Sequence, residues 1–343
     1  MTSNSQSKDT DAPMSRDWYW HPDLPIQTSG VFSWPPNPVR MIAWIGKSWL
    51  TLSTTTVWIV LALAAWQWAT PALSDMKTLS WDWVAFLYVR NLIIMTAVAG
   101  GLHLYFYTLG KQGMRRKFDK RGLAPKNRTF TFNNQIIDNM FWTLASGVTI
   151  WTVYEVAYYW LLANAYLPMT AFADNPIWFV ALFVIIPIWA SMHFYWVHRF
   201  LHWPPMYRLA HALHHRNVSI GPWTGISMHP VEHALYFSSA AIHFVVASHP
   251  LHMIFHLFLE ALNPACSHSG YDGVEVGGKT RLKLGDFFHQ LHHRHFECNY
   301  GTAEMPWDKW FGSFHDGSPE ASVRIKERRR KMHARPGSSD QVA

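Results

Sequence analysis

Between the charged residues of the chain lie four long apolar stretches. The first runs from Lys47 to Asp75. The second runs from Asp82 to Lys111, interrupted only by Arg90. The third runs from Asp138 to Asp174, interrupted only by Glu155, and the fourth from Asp174 to Arg199. A hydrocarbon core about 30 Å thick is crossed by roughly 20 apolar residues in a helix, so each stretch predicts a transmembrane helix. A fifth apolar region, 234–265, is divided by His249-Pro250. Its arms of about 14 residues reach about 21 Å each, too short to cross. They predict a membrane-embedded helical hairpin. Arg90 and Glu155 both fall inside spans, towards the exterior leaflet, at depths of about 10 and 16 Å. Buried ionisable groups of this kind usually pair, and an Arg side chain bridges the difference.

Composition supports a membrane protein. Of 343 residues only 15% are charged, 16% are aromatic and 20 are Trp, against about 25% charged in an ordinary soluble domain. Two cysteines, Cys266 and Cys298, exclude a disulfide scaffold. The net charge of +7 sits in short blocks: eight Lys/Arg within 111–128 and seven within 322–335. The loop between the first two spans carries one Lys, and 167–175 carries none. This asymmetry places 111–128 and the C-terminus in the cytoplasm. Four spans then return the N-terminus to the same side. The basic blocks read as headgroup-facing surface, not as a nucleic-acid site. The polar start of the chain lacks a signal-peptide pattern, since the first long apolar run begins near residue 48. The expected organisation is all-α: a polar cytoplasmic tail over 1–45, a four-helix transmembrane region over 46–197, a His-rich helical cap over 198–317 that includes the hairpin, and a basic disordered tail over 318–343.

Of the 21 histidines, 18 lie from His198 onward. HRFLH supplies His198 and His202 at i, i+4. HALHH supplies His211, His214 and His215. Seventy-four residues after His215, HQLHH supplies His289, His292 and His293. At i, i+3 and i+4 these side chains share one helix face. Between them lie HPVEH, with His229, Glu232 and His233, and HSGYD, with His268 and Asp272. Imidazole is a borderline ligand suited to Fe, Zn, Cu or Ni. Eight or nine of them exceed what one ion uses, so two metals fit the count. His252 and His256 share an i, i+4 spacing but read as a polar stripe facing the protein interior. His243, His249, His295 and His315 carry no assignment.

In this order, HRFLH, HALHH, HPVE, HSGYD, HQLHH, NYG and WDKWFG resemble the fatty acid hydroxylase/sterol desaturase superfamily over roughly residues 180–315. The HSGYD and NYG…WDKWFG segments look most like its sterol desaturase and sterol methyl oxidase branch. The resemblance implies a non-haem di-iron centre, O2 as co-substrate and oxidation of an unactivated lipid C–H bond, with electrons delivered from outside. It implies nine metal ligands: His198, His202, His211, His214, His215, His268, His289, His292 and His293. Fatty-acid-hydroxylating relatives carry a further His where this chain has Asp272, so a tenth ligand would come from water, Asp272 or an outlying His. His229 and His233 are candidates for ligation or support. Glu232 is a candidate to orient a ligand ring from behind. Asn299, Tyr300, Gly301, Trp307, Asp308 and Gly312 read as packing of the cap.

The expected function is hydroxylation or desaturation of a sterol-like or fatty acyl lipid at a bacterial inner membrane or the endoplasmic reticulum, with the active site facing the cytoplasm. The chain offers no flavin, nicotinamide or iron–sulfur fingerprint, so a separate electron donor of ferredoxin or cytochrome type, with its reductase, is expected. Two rivals are a zinc-dependent membrane hydrolase, which would want a carboxylate base as in HExxH, and a non-enzymatic metal or lipid carrier.

Overall fold

The computed structural model describes residues 18–48 and 53–333. Eleven helices are defined here in chain order. Helix α1 is Pro38–Ser48 and α2 is Thr54–Trp68. Helix α3 runs continuously over Trp81–Thr108, with two π-helical stretches near its end. Helix α4 begins at Gln135–Phe141, passes through π-helical Trp142–Gly147 and continues as Val148–Ala163. Helix α5 is Pro176–Leu201. It starts sharply because Asn175 caps the Trp178 amide at 3.0 Å and Pro176 occupies the first turn. Helices α3 and α5 are long and apolar enough to cross a membrane. Helix α2, at 15 residues, reaches about 22 Å. Arg90 and Glu155 meet between α3 and α4, with Arg90 Nη2 2.5 Å from both carboxylate oxygens.

The hairpin takes a form the apolar pattern did not show. Its first arm is α7, Pro230–Phe237, running into a 3-10 stretch over Ser238–Phe244. Its second arm is α8, Pro250–Ser267, 18 residues or about 27 Å. Pro250 marks the first turn of α8, where a missing N–H costs nothing. Helix α8 is the bundle's central element, packed against α2, α4 and α5, with all but a few of its residues buried. Its apolarity serves the protein core. Gly225 lets the preceding loop touch α8: a Cβ there would lie 2.4 Å from the Pro264 carbonyl carbon.

The cap contains α6, helical from Pro204–Met206 through π-helical Tyr207–His211 to Ala212–His215. It also contains strands β1 (Gly273–Val276) and β2 (Lys279–Lys283), antiparallel with Gly273 opposite Lys283. Gly277 and Gly278 close this hairpin with φ of +62° and +73°, as a two-residue turn requires. Helix α9 is Phe287–His295, α10 is Trp307–Trp310 and α11 is Pro319–His333.

Both ends of the chain depart from the expected tails. Residues 319–333 are helical, not disordered: Pro319 starts the helix, and Ala321 and Ile325, one turn apart, are buried beneath the charged face. Arg328 also bonds the Gly312 carbonyl at 2.9 Å. Within the expected 1–45 tail, the segment from Trp18 straps across the cap. Tyr19, Ile26 and Ser29 amides bond the carbonyls of Phe118, Asp316 and Ala303, and Trp18 packs edge-on against Phe287. Residues 1–17 and 334–343 lie outside the described residues.

Candidate metal centre

The nine histidines implied by the resemblance, eight of them at helical spacing, converge in two groups. His198, His202, His211, His215 and His292 form one; His214, His268, His289 and His293 form the other. Within each, the ligand-capable nitrogens all lie within 4.8 Å of one another. The helical motifs do not present single faces. HALHH sends His211 and His215 to the first group and His214 to the second; HQLHH does the reverse, sending His289 and His293 to the second and His292 to the first. Residues i+3 and i+4 point about 100° apart on a helix, so each motif straddles both groups. The first group takes both histidines of HRFLH. The second takes only His268 from HSGYD, because the corresponding second position is Asp272.

The orientation of the rings argues for cations. Six Nδ1 atoms donate to oxygen: His198 to the Tyr300 carbonyl and His292 to that of Cys298, both at 2.6 Å, His268 to Pro264 at 2.9 Å, His293 to Asn217 at 3.1 Å, His214 to Ser227 at 3.3 Å, and His211 to Glu232 Oε1 at 2.7 Å. Carbonyls only accept, so these rings carry Nδ1–H and expose a bare Nε2 lone pair. Yet His198 and His211 face each other Nε2 to Nε2 at 3.1 Å, as do His268 and His293. Two lone pairs at that distance repel unless a proton or a metal lies nearby. Burial disfavours the proton: it lowers His214 to about 4 and His268 to about 3. Two nitrogens bound about 2.1 Å from one ion at a right angle would lie about 3.0 Å apart. The residues therefore fit a pair of N-ligated transition metals.

The supporting residues are largely backbone carbonyls placed by side chains elsewhere. Asp308 accepts from the Tyr300 and Gly301 amides at 2.9 and 2.8 Å and from Ser313 Oγ at 2.6 Å. That fixes the Tyr300 carbonyl on His198. Asn299, at φ +53°, donates to the Phe288 and His315 carbonyls. Asn217 holds the His214 carbonyl through Nδ2, while its own carbonyl takes His293. Tyr107 clamps the HSGYD turn by donating to Ser269 O at 2.9 Å. Residues expected to pack the cap thus hold the grouped histidines in place.

The remaining candidates stand outside both groups. His233 bonds Ser146 Oγ and the Ile226 carbonyl, both at 2.9 Å. His229 caps α7 through the Val231 amide. Asp272 sits 3.6 Å from Arg116. His252 bonds the Phe179 carbonyl and His256 bonds Ser239, inside the bundle as expected. Glu232 alone touches a grouped histidine. Burial pushes its carboxyl well above the usual range, and a cation on His211 would counter this by favouring the carboxylate. Glu232→Ala is expected to weaken metal binding about 10- to 100-fold, read as faster iron loss to a chelator. An unchanged rate would remove Glu232 from the support.

A cavity of about 970 Å³ reaches this centre. His198, His211, His214, His268 and His289 form its floor, with Phe194, Val197, Met228 and Leu259 on its walls. Asp23, Ile26 and Gln27 of the N-terminal strap and Lys283 of β2 also line it.

Residues 182–313, which hold the cavity floor and both histidine groups, match the family model for fatty acid hydroxylase. This match and the relatives below support the fatty acid hydroxylase/sterol desaturase superfamily for this chain, on the side of the sterol desaturases. It is similar to a Delta(7)-sterol 5(6)-desaturase of Gibberella zeae, 29% identical over 42% of this chain and 44% of that protein. The corresponding protein of Candida albicans is 30% identical over 39% and 33% of the two chains. That of Saccharomyces cerevisiae is 32% identical over 35% and 32%. The chain thus aligns with less than half the length of each of these relatives. No solved structure matches it.

Proposed function

We propose that the chain is an integral-membrane oxygenase that holds two iron ions and hydroxylates or desaturates a lipid C–H bond with O2 and external electrons. The observation that carries this reading is the inward-facing set of nine imidazoles, six of them with Nδ1 turned to oxygen and Nε2 left bare, at the floor of a cavity lined by apolar and polar residues alike. Bound iron would supply O2 reduction and removal of hydrogen from carbon. Hydroxylation balances as R–H + O2 + 2e⁻ + 2H⁺ → R–OH + H2O. Desaturation takes a second hydrogen from the adjacent carbon and yields two waters. The nine histidines keep the metals in place, and Glu232 and the carbonyls of Tyr300, Cys298, Asn217, Ser227 and Pro264 keep the rings turned inward. The names of the relatives favour a sterol or similar lipid as substrate and a separate electron donor. Anaerobically prepared protein should contain two irons per chain and form an oxidised lipid only with O2 and a reductant. Metal-free protein with full activity would defeat the proposal; zinc in an aerobic preparation would not, since imidazoles accept both.

We further read four spans, with the histidine centre and both termini on the cytoplasmic side, supported by the Lys/Arg asymmetry and the apolar helices. Reporters fused after residues 128 and 335 should read as cytoplasmic, and one near Phe172 as exterior. A cytoplasmic signal at Phe172 would contradict this topology.

A further inference from the structure

Helix α8 carries two polar side chains towards the cavity that the histidine centre does not use. Glu260 and Asn263 both line it and, three residues apart, share a helix face. Glu260 is only 5% exposed, and its Oε2 is buried without a hydrogen-bond partner. Its Oε1 lies 3.7 Å from His256 Nε2. That ring is already engaged by Ser239 Oγ at 2.8 Å and by His243 at 3.1 Å. Tyr236 is committed to the Glu260 backbone carbonyl at 2.9 Å. Asn263 Oδ1 accepts from Trp58 Nε1 at 3.3 Å, while its Nδ2 has no partner among the described residues. A buried acceptor and an amide donor therefore stand one turn apart on the cavity wall, where a buried polar group left unpaired is costly.

We propose that Glu260 and Asn263 bind a hydroxyl group of the lipid substrate. The hydroxyl donates to Glu260 Oε2 and accepts from Asn263 Nδ2, satisfying both. This rests on the oxygenase reading of the same cavity and adds a substrate class and a binding direction. Counting along α8 to His268, Glu260 is eight residues and about 12 Å away, and Asn263 five residues and about 8 Å. A lipid held there lies along α8, with its hydroxyl about 10 Å from the second histidine group. The oxidised carbon is then several bonds from the hydroxyl.

Sterols and long-chain alcohols share the hydroxyl, so the test uses two matched pairs: 5α-cholestan-3β-ol against 5α-cholestane, and 1-hexadecanol against hexadecane. Equilibrium binding to the iron-loaded full chain in nanodiscs is measured for each. The hydroxylated member of at least one pair should bind about tenfold tighter. The preference should collapse in Glu260→Leu and Asn263→Leu, with the hydrocarbon's affinity unchanged, and survive in Glu260→Gln, which still accepts a hydrogen bond. If Glu260→Leu fails to fold, Asn263→Leu and Glu260→Gln still decide. Equal binding within both pairs, or a preference that survives the Leu variants, overturns the proposal. A hydroxyl preference in protein that never oxidises a lipid would instead defeat the oxygenase reading and leave this site standing. Oxidation without any preference would do the reverse.

Discussion

His292→Ala and His214→Ala are each expected to abolish lipid oxidation, a loss of more than about 100-fold, and each should lower iron by a different metal. Loss of a ligand is more severe than loss of a supporting group, which already costs about 10- to 100-fold. His292 belongs to the first group, where its Nε2 lies 3.0 Å from that of His215. His214 belongs to the second, 4.8 Å from His293 between ring centroids. Each variant should therefore retain up to about one iron per chain by elemental analysis, and His214→Ala combined with His292→Ala should retain almost none. His252→Gln supplies the control. That residue is just as buried, but it serves the Phe179 carbonyl, so iron should stay at the wild-type level. Full turnover in either Ala variant would sink the assignment. Equal iron loss in His252→Gln would show that the readout follows misfolding and not ligation.

The histidine set was legible because ligand spacing is local. A helix repeats every 3.6 residues, so HxxHH and HxxxH announce side chains that can converge. The division between the groups was not legible: a single shared face hides the 100° between i+3 and i+4 that lets each motif straddle two sites. Also hidden was the support. Tyr300 O reaches His198 across 102 residues and Asn217 O reaches His293 across 76. A backbone carbonyl carries no residue-type signature, so nothing in the composition of NYG or WDKWFG announces that Asp308 holds the Tyr300 carbonyl in place. The tails failed for another reason. In residues 319–333 the charges mask two small anchors, Ala321 and Ile325, spaced one turn apart. In the N-terminal strap Trp18 and Ile26 are too sparse to form a period. The hairpin shows the limit of hydropathy itself, since a stretch buried in protein and one buried in lipid look alike. Helix α8 is apolar because α2, α4 and α5 surround it.

Glu155→Met is expected to destabilise the detergent-solubilised protein by about 3–5 kcal/mol, and Arg90→Met by less. The two side chains are 6% and 1% exposed. Arg90 Nη1 donates to the Ala69 carbonyl at 3.1 Å, at the C-terminal end of α2, where the last carbonyls of a helix have no partner within it. Its Nη2 meets both Glu155 oxygens at 2.5 Å, and Asn91 Nδ2 donates to Glu155 Oε2 at 3.0 Å. One guanidinium thus fastens α2, α3 and α4 together. The depths read from the sequence differed by about 6 Å, and the side chains close that gap. The asymmetry between the variants follows from chemistry. When Arg90 is removed, Glu155 keeps its hydrogen bond from Asn91. When Glu155 is removed, the guanidinium cannot shed its charge and is left in the bundle with only neutral partners. Replacing both with Met removes the stranded charge, so the double variant should be more stable than the sum of the single losses predicts, by about 1–3 kcal/mol. Iron content should be unaffected, since neither residue is within reach of either histidine group. Denaturant or thermal unfolding in a fixed detergent measures the cycle. Strictly additive losses, or Arg90→Met proving the costlier change, would mean that the pair is not what holds these three helices.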